Sequence, residues 1–275
     1  FKRDRIIVNS ETTKKFLLNS VWRYRKWLEE RVVFIPNGID TEFFQRKENS
    51  KQKLKKQVWM SLDDDDFIVL YPHRPEESKW IFTALEVLRD VKYKKWIKNI
   101  KMLISSYIDL KVTNNLVSHY NRIKDIALSY GLENNIILHD WIPYELMPDY
   151  YSLWDVTLCV WTFIEWFWSN SSLESIACWT PSILTRVWAQ RDTLPENIVK
   201  KVDVQDLDEI VNYIELLHKS GNPIQHQRDY VVENFNYETM LTAYEDIICT
   251  TQVQSPLDFS IQPYSELSEL SLSPW

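Results

Sequence analysis

Glycine is nearly missing. Average usage would place roughly 19 in a chain of this length, and 3 stand among its 275 residues. Tryptophan, at 13, is as over-represented as glycine is scarce. Cysteine is sparse too. Cys159, Cys178 and Cys249 form no CxxC and no Cys/His cluster, a sparse, odd set that fits a reducing compartment better than a disulfide scaffold. No apolar run reaches the roughly 18 residues of a membrane span, and no signal peptide opens the chain. A start at Phe1 is expected for a sequence that begins inside a longer protein. The net charge of -7 argues against nucleic acid as the main partner. Basic runs at 51–56 (KQKLKK) and 92–101 are interrupted by apolar residues and read as solvated helix faces. No Ser/His/Asp or Cys/His arrangement stands out among the five scattered histidines. The acidic run at 63–66 (DDDD) lacks interleaved metal-ligand spacing and reads as a solvated turn.

What is present describes an ordered α/β chain. A 45% hydrophobic share supplies a large core. Strands are predicted at 4–10, 31–35, 67–71 (FIVLY), 100–105 (IKMLIS), 136–138, 156–160 (VTLCV) and 181–185. Helices are predicted from a Ser10 cap to about 19, and at 78–90, 116–130, 143–152, 172–178, 207–219 and across most of 230–249. Gly131 stops the third of these. Strands alternating with helices predict a Rossmann-like, doubly wound parallel sheet. Ligands of such sheets bind beyond the carboxyl ends of strands, so 72–79, 139–142, 161–172 and 186–192 draw attention. The tail from 251, rich in Ser, Gln, Pro and Glu, reads as a mobile extension.

Two constellations could carry chemistry. His73 and Arg74 follow the strand at 67–71, with Lys79 five residues after Arg74. A guanidinium fork and an ammonium converging there suit a diphosphate. Two exposed surface cations would look the same, and spacing alone does not separate the two. His73 reads as a backbone support before a general base. Further on, Glu165 and Glu174 flank the small polar residues 169–172, which lead into a helix. Backbone N–H groups at a helix start favour anions, and the carboxylates can accept sugar or ribose hydroxyls. The plain alternative makes Glu174 an ordinary helix residue and Ser171 or Ser172 a cap.

Taken together these segments resemble the group 1 family of retaining, nucleotide-sugar-dependent glycosyltransferases of the GT-B fold. The stretch at 32–44 (VVFIPNGIDTEFF) is similar to the family's linker, and 71–80 (YPHRPEESKW) to its strand–Arg–x4–Lys–Gly segment. The stretch at 136–148 (IILHDWIPYELMP) resembles the segment lining its base pocket. The run at 154–160 with 165–181 (EWFWSNSSLESIACWTP) resembles its donor loop and helix. The resemblance spans about 4–250. It implies that Arg74 and Lys79 hold the donor diphosphate, that Glu165 meets the transferred sugar, and that Glu174 holds the ribose hydroxyls. It also implies that Trp141 and Ile142 border the base, and that Phe167, Trp168, Ser169, Asn170, Ser171, Ser172 and Leu173 line phosphate and sugar. The implied reaction is sugar transfer with retention, Arg74, Lys79 and Glu165 being its catalytic residues, without metal or cofactor. The nucleotide-sugar is a substrate, and a sugar, glycolipid or other acceptor receives the glycosyl group. Polysaccharide synthesis in the cytoplasm, at the inner face of the membrane, is the implied setting. Residues 1–35 would be a remnant of an N-terminal acceptor domain, 36–250 the donor-binding domain and 251–275 a flexible tail. The missing acceptor half would carry any membrane contact, and the fragment alone is expected to be inactive. A catalytically dead Rossmann-like scaffold and a sugar-nucleotide epimerase are the other readings.

The chain departs from the family pattern in three ways. The two glutamates lie nine positions apart where the family has eight. Most of the acceptor domain that the resemblance implies is expected to lie outside this sequence. Trp80, Trp166, Trp168 and Trp179 stand where the family has glycine, and Trp27, Trp59, Trp161 and Trp188 also fit turn glycines. Trp179, after the predicted helix at 172–178, needs φ > 0. Trp141 fits the family pattern, and Trp22 and Trp96 fit core or stacking roles. Reading the codon UGA as Trp, where the organism reads it as Gly, would produce this pattern.

Overall fold

The computed structural model describes residues 4–57, 61–73, 75, 80–106, 113–153, 155–160, 170–221 and 225–250. Strand β1 (Ile6–Val8) pairs in parallel with β2 (Val32–Phe34), and α1 (Glu11–Ser20) and α2 (Arg25–Glu29) lie between them. Ser10 caps α1 as its sequence predicts, with its Oγ accepting from the Thr13 N–H at 3.0 Å. Val8, Leu18, Leu28 and Val32 bury a small core of their own.

Beyond the linker come α3 (Ser50–Gln57), β3 (Phe67–Tyr71), α4 (Ile81–Lys94), β4 (Ile100–Ser105), α5 (Thr113–Ser129) and β5 (Ile136–His139). A 3-10 turn at Tyr144–Leu146 runs into α6 (Met147–Tyr151), followed by β6 (Val156–Cys159), α7 (Asn170–Ala177), β7 (Ser182–Thr185) and α8 (Trp188–Thr193). The chain closes with β8 (Lys200–Val202), α9 (Leu207–Ser220), α10 (Gln225–Asn234) and α11 (Tyr237–Thr250). The last six strands form one sheet, parallel at every pairing, in the order β5-β4-β3-β6-β7-β8. Helices cover both faces, so β3 is buried at every position and its sequence is a continuous apolar run. Its alternating side chains separate the two cores. Phe67, Val69 and Tyr71 pack with α4, α5 and α9. Ile68 and Leu70 pack with α3, α6, α7 and α10. Among the described residues no helix is long and apolar enough to cross a membrane.

Several boundaries differ from the sequence expectation. The stretch at 143–152 is split between the 3-10 turn and α6. The long helix expected at 230–249 breaks at Asn236, which bridges to Ile39. Helices α2 and α8 and strand β8 are too short to leave a periodic signal. The basic run at 51–56 does form a helix, α3, anchored by fully buried Leu54. The acidic run is a turn: buried Asp66 accepts from the Asp63 N–H at 2.6 Å.

Among the described residues three tryptophans adopt left-handed backbone: Trp80 at φ 66°, Trp96 at φ 60° and Trp179 at φ 67°. The end of α5 gives a comparison within the same molecule. There Leu132 N–H donates to Ala127 O and Gly131 N–H to Leu128 O, with Gly131 at φ 64°. At the end of α7 the same two bonds recur, Thr180 N–H to Ser175 O and Trp179 N–H to Ile176 O. This is the helix stop that glycine fills most easily, and Trp occupies its left-handed position. Two expectations are corrected. Trp27 lies inside α2 and Trp188 opens α8, so neither is a left-handed turn residue. Trp96 is no core residue but a left-handed one, 74% exposed. Trp59, Trp161, Trp166 and Trp168 lie outside the described residues, as does the tail 251–275.

Exposure makes Trp96 the clean place to measure that strain. A Cβ in the left-handed region costs about 1–2 kcal/mol, and little burial is lost there on truncation. Trp96→Gly should therefore stabilise the fold by a net of about 1 kcal/mol, after the extra chain entropy of glycine. For a chain of this size thermal unfolding should show a rise of about 2–4 °C; a fall would contradict the strain.

Candidate functional site

The strand order runs outward in both directions from the β3–β6 pair, so the topological switch point lies between those two strands. Ligand crevices of doubly wound sheets open there, beyond the carboxyl ends. The chain leaves β3 through Pro72 and His73, and leaves β6 through Val160. Arg74 and Lys79 follow the first strand, and Glu165, Phe167, Trp168 and Ser169 follow the second. All six lie outside the described residues, and with them the expected convergence of Arg74 and Lys79 on Glu165 and Glu174. His73 sets its ring edge-on to Tyr71, with centroids 5.6 Å apart.

The described part of the site is built on α7 and on the segment after β5. Asn170 opens α7, exposed, its Oδ1 accepting from Asn37 Nδ2 at 3.3 Å. Ser171 is half-buried and Ser172 buried. Leu173 is fully buried in the core, so only its backbone is available to a ligand. Glu174 lies one turn into the helix. Burial raises its pKa above the ordinary carboxylate range, while the Tyr151 phenol faces the carboxylate and favours its ionised form. Tyr151 is itself buried, and its pKa is pushed up by that burial and then by the Glu174 charge. The pKa of Tyr144 is raised by burial, with the Asp40 charge and then the Glu174 charge adding to the rise.

A cavity of about 120 Å³ opens at the carboxyl ends of β3, β4 and β5, lined by Pro72, Ser105, His139, Trp141, Ile142, Met147 and Tyr150. Trp141, 68% exposed, forms its lip and buried Ile142 its wall. This brings the two sequence-predicted residues to one pocket. His139 opens the 139–142 stretch that the sequence marks, although the sequence assigns it no role there. Its Nδ1 sits 2.8 Å from the Asp140 carbonyl, which can only accept, so that nitrogen carries the proton. Its Nε2 then accepts from the Tyr150 hydroxyl at 3.3 Å. Burial holds its pKa below the ordinary histidine value. Ser106 secures the same turn, donating from N and Oγ to the His139 carbonyl at 2.7 and 2.9 Å. The only sequence signal for this arrangement was a histidine at the end of an apolar run.

One other perturbed carboxyl is excluded by position. Burial pushes Asp155 up to about 7. It directly precedes β6 and accepts from the Ile68 N–H near the start of β3, so it lies at the opposite, amino edge of the sheet.

Residues 50–234 match the family model of glycosyl transferases group 1. The match spans more than half of the chain, and the chain belongs to this family. No curated protein matches it in sequence. Among solved structures, Alr3699/HepE of Anabaena in complex with UDP and glucose is similar at 13% identity and a TM-score of 0.75, over 90% of this chain and 63% of that one. Sucrose-phosphate synthase from Thermosynechococcus elongatus is similar at 22% identity and a TM-score of 0.71, over 88% of this chain and 57% of that one. The C-terminal domain of LpcC, a glycosyl transferase group 1 family protein from Francisella tularensis, is similar at 17% identity and a TM-score of 0.53. It matches over 75% of this chain and 98% of its own. At these identities the likeness is one of fold. The chain spans less than two thirds of the first two structures.

Proposed function

We propose that this chain is the donor-binding half of a retaining sugar transferase that takes a glycosyl group from a nucleotide-sugar. The supporting observation is the placement of half-buried Glu174 and the Trp141–Ile142 pocket beyond the carboxyl ends of a switch-point sheet, in a member of the group 1 family. In this proposal the base enters the pocket behind Trp141 and Ile142, and Glu174 accepts the ribose hydroxyls. Arg74 and Lys79 neutralise the departing diphosphate, which is the main catalytic task, and Glu165 meets the sugar near the reacting carbon. Backbone N–H groups from Phe167 to Leu173 meet phosphate and sugar. Transfer of a hexosyl unit needs no metal or cofactor here. Residues 1–35 would belong to the acceptor half, whose remainder, with any contact to the inner face of the membrane, lies outside this chain, so the fragment alone would transfer little.

The left-handed Trp80 and Trp179 support a further part of the proposal, that these positions and 166 and 168 are glycine in the living protein. The codons decide that point, since UGG at these positions would end it. If the Trp are literal, the second reading gains weight, an inactive Rossmann-like binding module with its donor space filled. Calorimetric titration with UDP and other nucleoside diphosphates separates the readings. A chain carrying Gly at 80, 166, 168 and 179, joined to its acceptor half, should bind one of them saturably. Absence of saturable binding would favour the scaffold.

A further inference from the structure

Arg228, on α10, reaches three backbone carbonyls. Its guanidinium donates to Thr41 at 3.2 Å and to Phe44 at 3.0 Å, both in the linker, and to Ala177 in the last turn of α7. The α7 cap uses the carbonyls of Glu174, Ser175 and Ile176, so the Ala177 carbonyl is one of those a helix end leaves over. A planar fork of five donors suits this geometry as few side chains do. The same linker stretch is fastened again around Arg228. Asn236 Nδ2 donates to Thr41 Oγ1 at 3.2 Å, and Phe43 stacks on Tyr144, centroids 4.6 Å apart. Glu174 stands three residues before Ala177 on the same short helix.

We propose that Arg228 is a latch between the linker and α7, a positioning residue that makes the helix carrying Glu174 follow the linker. Its effect on the site rests on the donor-binding proposal above, while the latch itself does not. Without the guanidinium, three carbonyls of two segments lose a shared donor, and what remains between α10 and those segments is the apolar packing of Val231 in the core that Phe44 and Ala177 also line.

Amide hydrogen exchange on the full 275-residue chain without ligand tests the latch. In Arg228→Met, exchange should speed at least tenfold both at 41–44 and at 175–180, while β3 and β4 keep their protection. Arg228→Lys, which leaves a cation in place, should fall between that variant and the original. Faster exchange in one segment alone, in neither, or evenly through the sheet would overturn the proposal, the last by making Arg228 a general stabiliser. A second arm measures UDP affinity of the glycine-bearing chain with and without Arg228→Met, where a loss of about tenfold is expected. Equal affinity would remove the positioning role. If neither chain binds UDP, the donor-binding proposal fails, and the ligand-free exchange still decides the latch.

Discussion

Replacing Glu174 with glutamine should weaken nucleoside diphosphate binding about 30-fold at neutral pH and leave the fold slightly more stable. The two effects have one cause. Hydrogen bonds to a charged group are worth about 1.5–3 kcal/mol, and 2 kcal/mol is about a factor of 30 in affinity. The ligand-free site holds that charge in a place where burial raises its pKa. The folded state therefore keeps a proton at pH values where the unfolded chain has released it. The associated stability is present below the ordinary carboxylate pKa and is lost as pH rises through the raised folded value. Binding runs the other way, because only the ionised form accepts two hydroxyls without giving up an acceptor site. Affinity should grow with pH through the same window. Glutamine removes both trends. Titration of the glycine-bearing chain between pH 4 and pH 8, paired with urea unfolding, reads both. Equal UDP affinity in the two proteins would take Glu174 out of the site.

The identity of the sheet elements beneath the candidate site was legible because burial wrote it into the sequence. β3 and β4 have the bounds their apolar runs predict, since nearly every position is enclosed by helices. Gly131 marked the end of α5 for the same local reason, a left-handed stop. Other features depend on partners far along the chain. The break between α10 and α11 exists because Asn236 meets Ile39, about 200 positions away, and nothing in the local sequence from 230 to 249 announces it. The stretch opened by His139 was marked by its place after a strand, but its role was not legible until the structure set the ring between the Asp140 carbonyl and Tyr150. Arg228 carries still less signal, because its partners are carbonyls, which every residue has. The tryptophans were half legible. Comparison with family glycines singled out Trp80 and Trp179, which are left-handed. The same reasoning overreached at Trp27 and Trp188, where short helices without periodic signal stand in place of turns.

Gly38→Ala should destabilise the protein by about 2–3 kcal/mol, in the range of an overpacked core site, and lower its melting temperature by roughly 5–10 °C. A Cβ at this position would stand 2.8 Å from the Asn236 carbonyl oxygen and 2.9 Å from the Tyr237 Cα. Both are backbone atoms and cannot turn aside as the end of a long side chain can. They are pinned, moreover, by the bonds on either side, Ile39 N–H to Phe235 O and Tyr237 N–H to Ile39 O, each 2.9 Å. Making room means opening that crossing, which also carries Asn236 away from Thr41 and shifts the stretch that Arg228 holds. The loss should therefore appear in urea unfolding together with faster amide exchange at 37–44, before any change in β3. A substitution tolerated within 0.5 kcal/mol would mean that the linker and the α10–α11 junction do not meet this closely. Glycine is needed at position 38 because another backbone occupies the space of its side chain, and at positions 96 and 179 because of the sign of φ. The first need costs about 2–3 kcal/mol to violate, because a backbone must shift to make room, and a chain with three glycines has kept one there. The second is a matter of about 1–2 kcal/mol, which is small enough for a folded chain to carry tryptophan in its place.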